Sequence, residues 1–319
     1  MTEPKVSIVV VNYNGKKLLE FLLRSISRLK YKNYEILVVD NNSSDGSQEF
    51  IKKNYKKVKL ISNKKNLGYS GINSAVKYCK GEYILFLNND MELDKNCIRE
   101  LIKSIKSDKN IAMAAPKLVN FYDKKIKSGG TWVSRAFYSG HMAGNKEKTK
   151  EIPYLGVGLI KKDFVNMYGY LFDSDYFIYA EDLDLGLRIR LNSKKAIFEP
   201  KAILYHMHSV TMQKSDKSFS TYLMERNMLT TFFKILSIKN IILFLPYVLF
   251  VRFAAMLKDL VTLRFDLLFA RLKAIFWILF NMALVINKRN KIQKFRKADD
   301  SYILKIFTEK YLFKPKFTV

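Results

Sequence analysis

The chain has 319 residues, 49% of them apolar, so a packed core can form and disorder is not expected. Its formal charge is +27, from 56 Lys and Arg against 29 Asp and Glu, a field that attracts nucleotide diphosphates, anionic lipid and nucleic acid. No helix-turn-helix, zinc-finger or aromatic RNA-binding signature accompanies that charge, and in the last third it alternates with apolar runs, which favours a membrane surface over nucleic acid.

In chain order, Val6–Val11 is an apolar run that enters Asn12-Tyr13-Asn14-Gly15, the pattern of a strand ending in a loop and not of a secretory signal. Lys16–Leu29 follows as a helix, with Leu18, Leu19, Leu22, Ile26 and Leu29 on one stripe. Tyr34–Val39 reads as a strand ending at Asp40, and Ser44–Asn54 as a helix capped by Ser43 or Ser44. Val58–Ser62 is a short strand, Tyr69–Lys80 a helix, Tyr83–Leu87 a buried strand, Lys95–Ser107 a helix and Ile111–Ala115 a strand. This alternation predicts an α/β fold with a mostly parallel sheet and right-handed crossovers. Residues 117–155, broken by Gly129, Gly130 and Gly140, predict loops and short antiparallel pieces. Leu155–Lys161, a helix near Asp163–Met167, Phe177–Arg190 and Ala196–His206 form a second ordered block. Beyond Ser220 the apolar runs Ile241–Val251 and Ala274–Ile286 are each shorter than the roughly 20 residues a bilayer span needs. They are punctuated by Arg252, Lys258, Arg264, Arg271 and Lys273, so helices lying in the membrane interface are expected, with Ile241–Leu257 as a re-entrant or tilted alternative. Cys79 and Cys97 make neither a disulfide framework nor a metal-type pair and are expected as reduced thiols of a cytosolic protein.

The strand Tyr83–Leu87 stops abruptly at Asn88-Asn89-Asp90. Ligands of open α/β sheets sit beyond the carboxyl ends of such strands, and a carboxylate there can hold Mg²⁺ or Mn²⁺ against a diphosphate. Asp40 ends its strand in the same way, either to accept a base N–H or to brace a polar loop. Asn66-Leu67-Gly68 with Asn73 is a glycine turn that could let backbone approach phosphates. In Tyr179–Arg188, Asp184 and Arg188 are i, i+4 partners, while Glu181 and Asp182 sit at a helix start, where ionised carboxylates are favoured and a general base can reside. His206 and His208 lie two apart on a strand-like stretch before Ser209 and Thr211, with His206 the better metal ligand.

Taken in order, Val6–Asn14, Val38–Ser47, Asn66-Leu67-Gly68-Tyr69 with Asn73, Leu87–Asp90, Glu181–Asp184 with Arg188, and His206 with Ser209 and Thr211 resemble family 2 glycosyltransferases, in particular their rhamnosyltransferase-like branch. The resemblance covers about the first 210 residues. It implies a GT-A fold, Rossmann-like and flanked by helices, in residues 1–219, followed by a basic helical membrane-associating region in residues 220–319. It implies an inverting, metal-dependent transfer of a sugar from a dTDP- or UDP-linked donor. Val11, Asn12, Tyr13, Asn14, Asp40, Asn42, Asn66, Gly68, Asn73, Asn88 and Asn89 would bind the nucleotide sugar. Asp90 and His206 would hold Mg²⁺ or Mn²⁺, and Asp182, or alternatively its neighbour Glu181, would deprotonate the acceptor hydroxyl. Arg188, Arg226 and Asn227 are candidates for the acceptor or its diphosphate. The chain departs from the family in having one carboxylate in Asn88-Asn89-Asp90 where many relatives carry two, and Asn192-Ser193-Lys194 where a glycine turn is common.

The rival readings are a processive polysaccharide synthase, whose Gln-x-x-Arg-Trp motif and multiple spanning helices are not found, and a pyrophosphorylase, whose Gly-rich basic loop is also missing. A non-enzymatic basic membrane-surface protein would leave the carboxylates unexplained. The expected partners are therefore a nucleotide sugar, a lipid-linked glycan acceptor and the anionic membrane surface, with no nucleic acid. The expected location is the cytoplasmic face of the cell membrane, peripheral or monotopic.

Overall fold

A computed structural model describes residues 3–128, 130–142, 148–207 and 216–310. The first half consists of β1 (Val6–Asn12), α1 (Lys16–Ser27), β2 (Tyr34–Asp40), α2 (Ser47–Asn54), β3 (Lys59–Ser62), α3 (Asn73–Val76) and β4 (Tyr83–Asn88). Then come β5 (Met91–Leu93), α4 (Cys97–Lys106), β6 (Ile111–Asn120), β7 (Ile126–Ser128), β8 (Thr131–Val133), β9 (Ser139–His141), β10 (Lys150–Ile152), β11 (Gly158–Lys161), α5 (Lys162–Tyr168), α6 (Glu181–Leu191) and β12 (Lys195–His206). The chain continues through α7 (Lys217–Ile235), α8 (Ile238–Val261), α9 (Phe265–Phe280), α10 (Met282–Gln293) and α11 (Asp300–Leu304).

The sheet runs β10-β12-β6-β11-β4-β1-β2-β3. Its β3-β2-β1-β4 part is parallel, as strand–helix alternation requires, and β6 and β12 are parallel to each other. Between the two parts β11 runs antiparallel to both β4 and β6. The register aligns Asn12 with Asp40 and Val11 with Asn88, so the polar strand ends collect along one rim. Pro116, which cannot donate to a ladder, sits where the β6–β12 register slips between Glu199 and Ile203.

Three elements differ from their sequence expectation. The helix expected from Ser44 starts at Ser47, because Ser43 and Ser44 spend their groups on Asp40 and Asn14, and Gly46 in the left-handed region precedes the helix. The helix expected over 69–80 is a 3₁₀ turn, Gly68–Ile72, followed by the single turn of α3. The apolar run expected to stop near residue 251 is instead one 24-residue helix, α8, long and apolar enough to cross a membrane. Its apparent interruption, Arg252, is turned inward and buried.

The main core surrounds the sheet, with Val9, Leu37, Phe86, Leu159 and Phe198 all but inaccessible. A second core joins Leu183, Leu187 and Leu191 of α6 to Met228, Phe232 and Ile235 of α7 and on to Val248, Ile278 and Val285. The C-terminal helices therefore pack directly on the helix that carries Glu181 and Asp182. Cys79 and Cys97 are both free thiols in the core, where burial pushes Cys79 up to about 11.

Candidate active site

At the rim of β1 and β2, Asp40 is fully buried and its carboxylate is saturated. It accepts from Asn12 Nδ2 (2.9 Å), Ser43 N (2.9 Å), Ser43 Oγ (2.6 Å) and Gln48 Nε2 (2.8 Å). In this arrangement Asp40 braces the loop, and the groups turned outward are Tyr13, Asn14 and Asn42. Asn14 and Asn42 both adopt left-handed backbone (φ 47° and 67°), and Asn14 Oδ1 accepts from Ser44 N at 2.8 Å. Val11 is half-buried at the end of β1.

Asn12 is also the link to β4, since its Oδ1 accepts from Asn89 Nδ2 at 2.7 Å. Gly15 is required beneath this contact: a Cβ there would lie 2.0 Å from Asn89 Nδ2. Asn88 and Asn89 are half-buried, and Asp90 is buried beside them. Because β5 pairs with the end of β12, Met91 lies opposite His206, and His206 Nε2 comes within 3.1 Å of Asp90 Oδ2. Two residues 116 apart in sequence thus meet as one oxygen and one nitrogen donor. His208, Ser209 and Thr211 lie outside the described residues.

Among the described residues there is no cluster of three or more His, Cys, Asp or Glu side chains able to hold a metal. The Asp90–His206 pair nevertheless fits Mg²⁺ or Mn²⁺, because such ions are commonly held by one or two protein ligands and completed by substrate phosphates and water.

Glu181 and Asp182 open α6 after two consecutive non-glycine residues in left-handed backbone, Tyr179 (φ 69°) and Ala180 (φ 60°), each costing about 1–3 kcal/mol. Glu181 is buried, and its Oε2 has no hydrogen-bond partner among the described residues. Burial first, then the charge of Asp182, holds the Glu181 carboxyl well above the usual carboxylate range. Asp182 is half-buried; burial pushes it up to about 6, opposed by the Leu183 N–H, which donates to Oδ1 at 2.8 Å. At neutral pH the arrangement therefore leaves Asp182 mostly ionised, while Glu181 is biased toward its protonated form. Tyr69 connects the two ends of the site: burial raises its phenol, and the charges of Glu181, Asp182 and Asp90 raise it further. Its hydroxyl donates to Gly156 O at 2.6 Å, and a Cβ on Gly156 would lie 3.3 Å from Asp182 Oδ2.

Several expected ligands serve as braces. Asn73 Oδ1 accepts from the N–H groups of Leu171 and Phe172, and its Nδ2 donates to Phe172 O (2.6 Å), so its amide is consumed by the loop leading to α6. Asn66 Oδ1 accepts from Gly68 N at 2.9 Å. Gly68 is left-handed (φ 62°), and a Cβ would meet Phe177 O at 1.9 Å. Gly68→Ala is accordingly expected to lower stability by about 2 kcal/mol or more, seen as a drop in the thermal midpoint; an unchanged midpoint would disprove the close approach. Arg188, a candidate for the diphosphate, is fully buried, bonded to Asp184 (2.8 Å) and stacked by Tyr168 and Tyr170, so it is an internal strut. Arg226 and Asn227 do not line the open rim either: they bond each other and the backbone of residues 175–179.

Tyr154 and Gly156 around Asp182, and Lys234 beneath α6, were not singled out from sequence, and Tyr69 entered as the end of the Asn66–Tyr69 motif, with no role of its own. Lys234 carried a readable signal, a single cation within the apolar stretch Leu229–Leu236 where helical periodicity demands core.

Residues 7–160 match the sequence profile described as glycosyl transferase family 2. The chain is 26% identical over 228 residues to "O-antigen biosynthesis protein RfbC" of Myxococcus xanthus, covering 65% of this chain and 18% of that protein. It is 26% identical over 233 residues to "Low-salt glycan biosynthesis hexosyltransferase Agl10" of Haloferax volcanii, covering 70% of this chain and 73% of the relative. Over 92 residues it is 33% identical to "UDP-Glc:alpha-D-GlcNAc-diphosphoundecaprenol beta-1,3-glucosyltransferase WfgD" of Escherichia coli, covering 28% and 36% of the two chains. In three dimensions it resembles GalNAc-T7 solved with UDP, GalNAc and Mn²⁺ (TM-score 0.59, 18% identity, 72% of this chain and 47% of that one). It also resembles S. aureus TarS 1–349 in complex with UDP-GlcNAc (TM-score 0.56, 19% identity, 72% and 67%). These structures share the curled sheet flanked by helices, so the chain has a GT-A fold, and its residues 7–160 belong to glycosyl transferase family 2.

Proposed function

We propose that the chain is an inverting, metal-dependent glycosyltransferase. It moves one sugar from a UDP- or dTDP-linked donor to a hydroxyl of a lipid-linked glycan during cell-surface glycan assembly. The observation that carries this reading is the meeting of Asp90 and His206 at 3.1 Å on the rim shared with the Glu181–Asp182 pair, with Tyr69 within electrostatic reach of both ends. A metal ion held by Asp90 and His206 would stabilise the negative charge of the departing diphosphate. Asn12 and Asn89 fix the strand ends on which the nucleotide rests, and Asn14 and Asn42 present exposed amides to it. Asp182 takes the acceptor proton as the acceptor oxygen bonds the anomeric carbon and the bond to the diphosphate breaks on the opposite face.

Two similar proteins, Agl10, named as a glycan hexosyltransferase, and WfgD, named as acting on a diphosphoundecaprenol glycan, support a lipid-linked acceptor. The ordered motifs of the rhamnosyltransferase-like branch make a dTDP-deoxysugar the first donor to try. In this reading residues 1–219 are catalytic and residues 220–319 associate with the cytoplasmic leaflet. Ile241, Val248, Arg252 and Asp259, spaced by 7, 11 and 18 residues, form the buried line of α8. The opposite face leaves Leu243, Phe250, Phe253 and Leu257 exposed, with Lys239 and Lys258 also exposed on the helix. That combination supports docking on an anionic leaflet, with α8 lying along it.

The test is release of UDP or dTDP from a panel of nucleotide sugars with membrane lipid extract, with Mn²⁺ or Mg²⁺ and with chelator. Metal-dependent release from one donor, reduced at least about 100-fold in Asp90→Ala, is expected. Equal release in wild type and Asp90→Ala would refute the metal assignment.

A further inference from the structure

We propose that Asn227 is a positioning residue for the carboxylate pair: from α7 it clamps the left-handed turn that aims Asp182, so that the C-terminal helices set the geometry of the base. The inference rests on the reading of Asp182 as that base.

The turn is the least self-sufficient part of the site. Tyr179 and Ala180 are adjacent, neither is glycine, and both have positive φ (69° and 60°). Such backbone persists only where its surroundings over-determine it. Asn227, wholly buried, supplies that constraint: its Nδ2 donates to Ile178 O (3.1 Å) and Tyr179 O (2.7 Å). The amide cannot reverse, because its Oδ1 accepts from Arg226 Nε (2.9 Å) and Nη2 (2.8 Å), and Arg226 Nη2 also donates to Asp175 O (2.7 Å). Every hydrogen-bonding position of the side chain is used, and both donated bonds end on carbonyls within four residues of Asp182.

The position of the clamp is set from the other direction. Glu225, two residues earlier on α7, faces Arg252 of α8 (3.1 Å) and Arg271 of α9, and Tyr138 donates to it as well. One segment, Glu225-Arg226-Asn227, therefore ties the exposed apolar layer to the catalytic turn. A residue that merely filled core volume would not need two donors converging on consecutive carbonyls, and this distinction can be measured.

Asn227→Ala is compared with wild type, with Asn227→Ala combined with Ala180→Gly, and with Arg226→Lys, using whichever of UDP-glucose, UDP-N-acetylglucosamine and dTDP-rhamnose the wild type turns over. The expected result is a kcat about 100-fold lower in Asn227→Ala with donor KM within about twofold, the signature of a base misplaced by about 1 Å. Glycine at 180 adopts positive φ without assistance, so the double variant should recover at least severalfold. Arg226→Lys, which frees the amide but leaves it in place, should lower kcat in the same sense if Asn227→Ala proves unstable. A substrate-free readout is the carboxyl ¹³C titration of Asp182, which should move from about 6 toward an ordinary aspartate value in Asn227→Ala. Unchanged kcat, loss of kcat only in step with donor affinity or folded fraction, no recovery with Ala180→Gly, or an unmoved titration would each overturn the proposal. Asp182→Asn in the same assay separates the failures: full activity there defeats the base assignment itself.

Discussion

Asp182→Asn is expected to cut sugar transfer by about 10³-fold, within the 10²–10⁴ that a positioned general base supplies, while donor binding stays close to wild type. The same substitution is expected to stabilise the protein at pH 7. Burial raises the Asp182 pKa in the folded state to about 6. A carboxyl raised in this way favours folding fully below its unfolded pKa, and that contribution is lost as pH rises through about 6. At pH 7 the dehydrated carboxylate is therefore a net cost, and its removal should add about 1–2 kcal/mol, the shift being discounted for partial exposure. The wild-type rate should correspondingly rise with pH along a limb centred near 6 as Asp182 loses its proton and becomes competent as a base. Glu181→Gln, at a carboxyl that burial biases toward its protonated form, should leave most of the rate. Parallel measurement of kcat and of chemical denaturation for the two variants decides the assignment. A large loss in Glu181→Gln with little in Asp182→Asn would exchange the two roles.

How much of this was legible beforehand depends on how local the information is. Val6–Val11, Tyr34–Val39 and Tyr83–Leu87 announce buried parallel strands by apolar run and length, and the polar residues that end them collect on one rim because parallel register aligns those ends. The antiparallel insertion of β11 pairs it with β4 across more than 70 residues and with β6 across more than 40, and leaves no mark in a local pattern. Asn73 and Arg188 were legible as polar groups in the right segments, but not in what they bond: a buried polar side chain satisfies itself wherever the fold brings a partner. The same limit explains α8. Read along the chain, Arg252 and Lys258 interrupt an apolar segment; in three dimensions Arg252 and Asp259 face inward to Glu225 and Arg271, and the apolar face remains continuous. Glu181 and Asp182 were indistinguishable as neighbours at a helix start, and only the unequal burial produced by the Tyr179–Ala180 turn separates them.

Lys234→Ala is the substitution expected to cost most stability. The Nζ of Lys234 is completely buried, 2.6 Å from Asp173 Oδ2 and 2.6 Å from Asp184 Oδ1, and Asp184 in turn bonds Arg188. The network joins α7 to α6 and to the loop before it, directly behind the carboxylate pair. Removing one partner of such a buried arrangement leaves uncompensated charge in the core, at about 3–5 kcal/mol. That is a large share of the roughly 5–15 kcal/mol by which domains are stable. Burial would push the Asp173 carboxyl up, yet Lys234 and Lys288 hold it well below the usual carboxylate range. A depressed carboxyl contributes stability above its unfolded pKa and loses it as pH falls through the folded value. The wild type should therefore weaken in acid more steeply than the variant, whose Asp173 is no longer depressed to the same extent, and the gap between them should narrow below about pH 4. Lys288→Ala, in which the lost ammonium is part-exposed and Lys234 still holds Asp173, should cost only about 1 kcal/mol. Urea unfolding of the three proteins at pH 7 and pH 4 tests the ordering. If Lys234→Ala and Lys288→Ala prove equally mild, the α6–α7 interface is held by its apolar contacts, Leu183, Leu187, Met228 and Phe232, and the ions contribute no net stability there.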